Sequence, residues 1–150
     1  MEWALKIKRI HPRLGDTIPM PRRMSELAAG FDLAAAIEEP VTLAPRQREL
    51  IPCGFAMALP PGYEAQIRPR SGLAIRHGVT MLNSPGTIDC DYRGEIAAIV
   101  INLGQAPFRI ERGDRIAQMV VQRLPAVELS EVDALPATAR GAGGFGHTGV

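Results

Sequence analysis

Short apolar runs separated by polar residues make up most of this chain, and glycine or proline interrupts them at close intervals. In the first ten residues Trp3, Leu5 and Ile7 fall on one face of an extended segment and Lys6 and Lys8 on the other, which predicts a strand. Residues 29–35 predict another, with Phe31, Leu33 and Ala35 inward and Asp32 outward. Val41 to Ala44, Glu49 to Leu59 and Glu64 to Arg68 read as further strands, with Pro45 and Pro60-Pro61-Gly62 as breakers. Val79 to Leu82 and Thr87 to Tyr92 flank the turn formers Asn83-Ser84-Pro85-Gly86, which predicts a β-hairpin. Glu95 to Leu103 is nearly continuous in apolar residues, as expected of a strand buried on both faces or placed at an interface. Phe108 to Ile110 and Ile116 to Leu124 flank Arg112-Gly113-Asp114 and predict a second hairpin. From Pro125 to Ala139 the pattern loosens into an extended connector.

Composition sharpens this picture. The chain has 150 residues, a length that suits one domain burying roughly 70% of its unfolded surface. Gly 15 and Pro 13 together approach a fifth of the chain, against a usual share of about 12%, so many turns join many strands. A net charge of +1 argues against a dedicated nucleic-acid surface, which needs a clear basic excess. No apolar run approaches the ~18 residues of a membrane span, and the first residues lack the apolar core of a signal peptide. Cys53 and Cys90 show no metal-ligand spacing, so reduced thiols in the cytoplasm are expected. His11 has no second His or Cys near it and reads as a loop residue. The Arg-Gly-Asp triplet at 112–114 invites an adhesion reading, but a turn is expected.

The chemistry concentrates between Arg70 and Glu95. Arg70, Ser71 and Gly72 place a cation, a hydroxyl and a glycine in a row. Ser71 is expected to N-cap one helical turn through Ile75, leaving backbone N–H groups for an anion. On the return strand of the first hairpin, Asp89 and Asp91 at spacing two face the same side. A phosphate cradle beside a hairpin carrying a carboxylate, an amide (Asn83) and a phenol (Tyr92) reads as a nucleotide hydrolysis site. The residues alone do not choose between Asp89 and Asp91 as the base.

A second informative stretch is Arg140-Gly141-Ala142-Gly143-Gly144-Phe145-Gly146-His147-Thr148-Gly149. It fits the Walker A pattern with His147 at the lysine position. A P-loop must lead into a helix, and the sequence stops at Val150, so that reading is set aside. A disordered Gly-rich tail is the plain alternative. The single Phe among glycines, with Arg140 upstream, instead suits an arm that lays Phe145 over a base while Arg140 meets phosphates.

Arg70-Ser71-Gly72-Leu73-Ala74 and Gly86-Thr87-Ile88-Asp89-Cys90-Asp91-Tyr92-Arg93-Gly94 closely resemble the second and third motifs of the trimeric dUTPases. Residues 29–35 resemble the first motif, although Ser25-Glu26-Leu27-Ala28 before it departs from the small Ser-Gly-Ser common there. Gly113-Asp114-Arg115-Ile116-Ala117-Gln118-Met119 resembles the fourth motif and the Gly-rich tail the fifth. The resemblance implies an all-β, jelly-roll-like distorted barrel over residues 1–139, with residues 140–150 as a lid over another subunit's active site. It implies a homotrimer in which the hairpin, the phosphate motifs and the tail at each site come from different subunits. The implied reaction is hydrolysis of dUTP to dUMP and pyrophosphate, which limits uracil incorporation into DNA and supplies dUMP for thymidylate synthesis.

The resemblance also assigns roles. Asp89 becomes the base that activates water, and Asp91 a structural ion-pair partner. Arg70, Ser71, Gly72, Gln118 and Arg140 would position phosphate oxygens, and Mg2+ would be held by the triphosphate with Asp32 reaching it through water. Asn83 and the backbone of Gly86, Thr87 and Ile88 would read the uracil edge, and Tyr92 would pack against the deoxyribose. Phe145, Gly146, His147 and Thr148 would close over the substrate, with His147 standing where many relatives carry Ser. A dCTP deaminase of the same superfamily would need a Glu in the strand after the hairpin, and Ile96 to Ile101 contains no carboxylate. A catalytically silent nucleotide-binding protein on the same scaffold would be expected to lose Asp89 or the tail. Both are present.

Overall fold

The computed structural model describes residues 3–145. Its strands are β1 (Lys6–Arg9), β2 (Phe31–Ala34), β3 (Val41–Leu43), β4 (Arg48–Pro52), β5 (Phe55–Ala58) and β6 (Tyr63–Arg68). After the short helix α1 (Ser71–His77) come β7 (Val79–Met81), β8 (Gly86–Ile88), β9 (Ala97–Asn102), β10 (Phe108–Ile110) and β11 (Arg115–Arg123). One sheet runs β2-β11-β6-β8 and another β4-β9-β7, while β1-β5 and β10-β3 form separate pairs. Every ladder is antiparallel. The inward residues of both larger sheets share one core, with Leu33, Phe55, Ile96, Val100, Ile116 and Met119 among its members. The arrangement is jelly-roll-like, without a closed barrel.

Alternation predicted where strands lie better than which strands pair. The expected hairpin around Asn83-Ser84-Pro85-Gly86 does not form. β7 pairs with β9, β8 pairs with β6, and the exposed residues 82–85 cross from one sheet to the other. Val79 and Met81 are buried on one side of that crossing and Gly86 on the other, so the burial of each short strand favours separate ladders. The Ser84–Pro85 peptide bond is cis. The return strand also stops at Ile88. Asp89 begins a turn closed by the Tyr92 N–H donating to the Asp89 carbonyl (3.2 Å), so Asp89 and Asp91 do not share a strand face.

Two further corrections have the same cause. Glu49 to Leu59 divides at Cys53-Gly54, where Gly54 takes a left-handed φ of 81°. A Cβ there would lie 3.0 Å from those of both Ala36 and His11. β4 continues into the three-stranded sheet and β5 turns away to β1. The hairpin expected around Arg112-Gly113-Asp114 is likewise absent, because β10 pairs with β3 and β11 with β2 and β6. The triplet is consumed by its turn. Arg112 donates to the Ile37 and Glu38 carbonyls (2.9 and 2.8 Å), Gly113 N–H to Ala35 O (2.9 Å), and Asp114 Oδ2 accepts from Glu111 N–H (2.8 Å).

Ala98 and Val100 face the core, whereas Ala97 and Ile99 are half-buried on the opposite face. That second face belongs to a cleft. No helix among the described residues is long and apolar enough to cross a membrane. Cys53 and Cys90 are both free. Burial, and secondarily the charge of Glu95, pushes the Cys53 thiol up to about 12, so it stays protonated and unreactive.

Candidate active site

Where the two larger sheets part, β6 and β8 on one side and β4 and β9 on the other enclose a cleft of about 260 Å³. Its lining includes Asn83, Gly86, Thr87, Ile88, Asp89 and Tyr92, over a floor of Leu50, Ile67, Ala97 and Ile99. The segment expected to carry recognition and base chemistry therefore surrounds one cavity, although it is not a hairpin. Absent side chains shape the cleft. A Cβ on Gly86 would sit 3.1 Å from Asn83 Nδ2, so the glycine lets the amide lie against the backbone. A Cβ on Gly94 would sit 2.3 Å from the Tyr92 hydroxyl oxygen and 2.5 Å from Cζ. Only glycine permits the phenol to fold back there, where its hydroxyl donates to Glu95 O (3.1 Å). Arg93 braces the turn by donating to the Cys90 and Tyr92 carbonyls (2.7 and 2.8 Å).

Asp89 is exposed at the cleft rim and makes no ion pair among the described residues. Asp91, expected as a structural ion-pair partner, is equally exposed and likewise unpaired. Sequence reasoning passed over Glu95, which also lines the cleft. Its Oε1 accepts from the Gly54 N–H (3.0 Å), tying the cleft wall to the break between β4 and β5. No periodicity signals that contact, because its partners are 41 residues apart.

The charged residues gather elsewhere. Asp32 on β2 and Gln118 on β11 are register partners. The Asp32 carboxylate, with 15% of its side chain exposed, receives Arg70 Nε at 3.3 Å and Arg115 Nη1 at 3.1 Å on the same oxygen. Arg70 also donates to Arg115 O (2.8 Å). Gln118 Nε2 donates to Pro69 O (3.0 Å), and its Oε1 lies 2.7 Å from where a Cβ on Gly30 would stand. The first contact fixes the segment that leads into α1, and the second places the amide against the start of β2. Ser71 is not the helix cap. Arg70, with extended φ −95° and ψ 126°, holds that position without a side-chain bond, and Ser71 is the first helical residue. The helix also outruns its expected end at Ile75, since Gly78 supplies a left-handed C-cap whose N–H donates to Ala74 O.

None of Asp32, Arg70, Ser71, Gly72 and Gln118 lines the cleft. Register gives the scale of the separation. Gln118 pairs with Arg68 on β6, while Ile88 on β8 pairs with Ala65 and Asp89 lies one residue further from that row. Two inter-strand steps and about four residues of strand put the Asp89 and Gln118 backbones on the order of 15 Å apart.

Of the tail, Arg140 donates from Nε to Gly143 O (2.7 Å), and Phe145 is fully exposed at the edge of the described residues. Gly146, His147 and Thr148 lie outside those residues. No cluster of three or more His, Cys, Asp or Glu suited to a metal occurs among the described residues. Asp32 already receives two guanidinium groups on one oxygen, so it would meet Mg2+ only through water.

A family model described as dUTPase matches residues 16–149. Among solved structures, a variant dUTPase of Staphylococcus bacteriophage 80alpha with dUpNHpp is 26% identical, over 98% of this chain and 99% of that one, with a TM-score of 0.86. Another structure of the 80alpha dUTPase matches at 24% identity over 89% of this chain and 99% of that one, TM-score 0.78. A variant dUTPase from phage phi11 of S. aureus, described for the coordination of a structural Mg(II) ion, matches at 22% identity with the same coverage and a TM-score of 0.77. The latter two speak to the fold, which is the dUTPase type of jelly roll. With the family model spanning most of its length, this chain belongs to the dUTPase family and is by class a dUTP diphosphatase.

Proposed function

We propose that the protein hydrolyses dUTP to dUMP and pyrophosphate at composite sites built from more than one copy of the chain. The observation that carries this reading is the cleft, which brings Asn83, Gly86, Thr87, Ile88, Asp89 and Tyr92 around one cavity. The Asn83 amide and neighbouring backbone groups meet the acceptor–donor–acceptor edge of uracil. The Tyr92 ring lies along the deoxyribose and leaves no room for a 2′-hydroxyl. Asp89 orients a water and takes its proton as the oxygen attacks the α-phosphorus in line. The bond from that phosphorus to the bridging oxygen breaks, and the oxygen departs with pyrophosphate.

Arg70, Ser71, Gly72 and Gln118 of a neighbouring copy hold the phosphate oxygens, and the tail from Arg140 to Thr148 closes over the nucleotide. When bound, Mg2+ supplies charge neutralisation along the triphosphate, with Asp32 oriented toward its waters. The 15 Å scale between Asp89 and Gln118 within one chain favours a shared site, and the trimer inherited from the family resemblance provides one. In the cell, such an enzyme keeps uracil out of DNA and supplies dUMP.

Product analysis with dUTP and dCTP, in the presence of Mg2+, tests the reading. The expected products are dUMP and pyrophosphate from dUTP, with dCTP unchanged. Formation of dUTP from dCTP would establish a deaminase instead, and binding without turnover a silent scaffold. Light scattering is expected to give a trimer mass, and a monomer at micromolar concentration would remove the shared site.

A further inference from the structure

The proposed reaction ends with a highly charged pyrophosphate, yet the arginines of the charged cluster are already engaged. Arg70 and Arg115 both point at one oxygen of Asp32, so a single carboxylate offsets much of their charge before any phosphate arrives. One more cation stands on the helix that follows Arg70. Arg76 stands four residues after Gly72 on α1, on the same helix face, and helical side chains lean toward the N-terminal turn. Its guanidinium accordingly folds back over Gly72. A Cβ there would be 2.8 Å from Arg76 Nη2 and 3.3 Å from Cζ, so glycine is what lets the cation rest against this backbone. Arg76 is exposed and makes no ion pair among the described residues. It does not line the cleft that holds Asp89.

We infer that Arg76 is a further phosphate-binding residue, directed at the two phosphates that leave as pyrophosphate. The inference rests on the functional reading above and extends it to a side chain outside the phosphate and metal contacts proposed for Asp32, Arg70, Ser71, Gly72, Gln118 and Arg140. A guanidinium with no carboxylate partner keeps its full charge and its donor fork for phosphate oxygens. Gly72 is itself expected to approach the phosphates, so the group resting on it stands within reach of the same ligand. Because Arg76 lies away from the cleft, it should contribute to substrates and products that retain the outer phosphates and little to dUMP.

The test compares Arg76→Gln and Arg76→Lys with the unaltered full chain. A hydrogen bond to a charged group typically changes affinity tenfold or more, and partial exposure puts Arg76 at the low end, about tenfold. Arg76→Gln is therefore expected to raise KM for dUTP and to weaken inhibition by inorganic pyrophosphate, each by about tenfold. Inhibition by dUMP and Tm should not move, and Arg76→Lys should recover part of the loss. Unchanged KM and pyrophosphate inhibition in Arg76→Gln would overturn the inference. So would parallel losses of dUMP binding or Tm, which would make Arg76 structural. Were the unaltered chain to leave dUTP intact, the functional reading would fall, and calorimetry with pyrophosphate and Mg2+ on the same proteins would still decide the role of Arg76.

Discussion

The cleft and the charged cluster are built in opposite ways. In the cleft, missing side chains do the shaping: a Cβ on Gly86 would crowd the Asn83 amide at 3.1 Å, and one on Gly94 would overlap the Tyr92 phenol. Its recognition groups are an amide, a phenol and backbone, and its floor is apolar. The cluster is organised by charge, with two arginines on one oxygen of Asp32 and Gln118 pinned to Pro69 O. Shape and hydrogen-bond order select a base and a sugar, whereas charge holds phosphates in any nucleotide. On the proposed reading the two tasks fall to different strands of one sheet, β8 for the first and β2 with β11 for the second. On that same reading, a single chain carries half of each of two sites rather than one whole site. Ala97 and Ile99 of β9 line the cleft, and the proposed trimer follows the family resemblance.

The largest expected effect comes from disabling chemistry in the cleft without touching the cluster. Asp89→Asn should lower kcat by about 10²–10⁴-fold, the usual worth of a general base, while KM and Tm stay close to those of the unaltered protein. Steady-state kinetics and a melting curve on the same preparation check this. A smaller loss is expected from removing Arg140 to Val150, the segment proposed to close over the nucleotide. Activity should fall by about 10²-fold, the scale of lost positioning, with Tm almost unchanged because no residue of the segment is buried where described. An undiminished kcat/KM would reduce the tail to a passive end, and a collapsed Tm would make it structural.

Selectivity should respond more modestly and only to the cleft. Gly94→Ala forces Tyr92 from its fold-back position, so discrimination of dUTP over UTP is expected to drop by roughly tenfold, the scale of a lost steric contact in a specificity pocket. Tyr92→Ala should do the same, and competition assays with both nucleotides measure it. Equal kcat/KM for dUTP and UTP in the unaltered protein would remove the role given to Tyr92. The smallest effect is expected at Asp91, whose carboxylate makes no ion pair among the described residues. Asp91→Asn should change kcat less than about twofold, the range of an exposed charge. If it proved more damaging than Asp89→Asn, with both proteins folded, the base would be reassigned.

Much of the cleft was legible in sequence because its walls come largely from one contiguous stretch, Asn83 to Tyr92, where turn formers, a carboxylate and a phenol stand close together. Strand positions were legible for the same local reason, since alternation at Phe31, Asp32 and Leu33 needs only neighbours. Pairing was not. β7 with β9 and β8 with β6 join segments that are distant along the chain, and a Pro-Gly turn between short strands looks like a hairpin until burial sends each strand to its own sheet. The same distance hid Glu95, whose partner is Gly54, and Gly30, whose lack of a side chain accommodates Gln118. Ser71 misled because a hydroxyl before a helical turn fits the rule for caps. The extended backbone of Arg70 takes that place instead, and its side chain reaches Asp32.

The central claim, that cleft and cluster act on one nucleotide only across copies, is tested most directly by mixing two inactive variants. Asp89→Asn retains an intact cluster and Arg70→Gln an intact cleft. Unfolding and refolding them together in equal amounts should produce mixed cyclic trimers in which about one quarter of the sites combine two intact halves. Activity near that fraction of the unaltered protein is the expected result. Activity no higher than the mean of the separate variants, with light scattering showing that mixed assemblies had formed, would contradict the shared site.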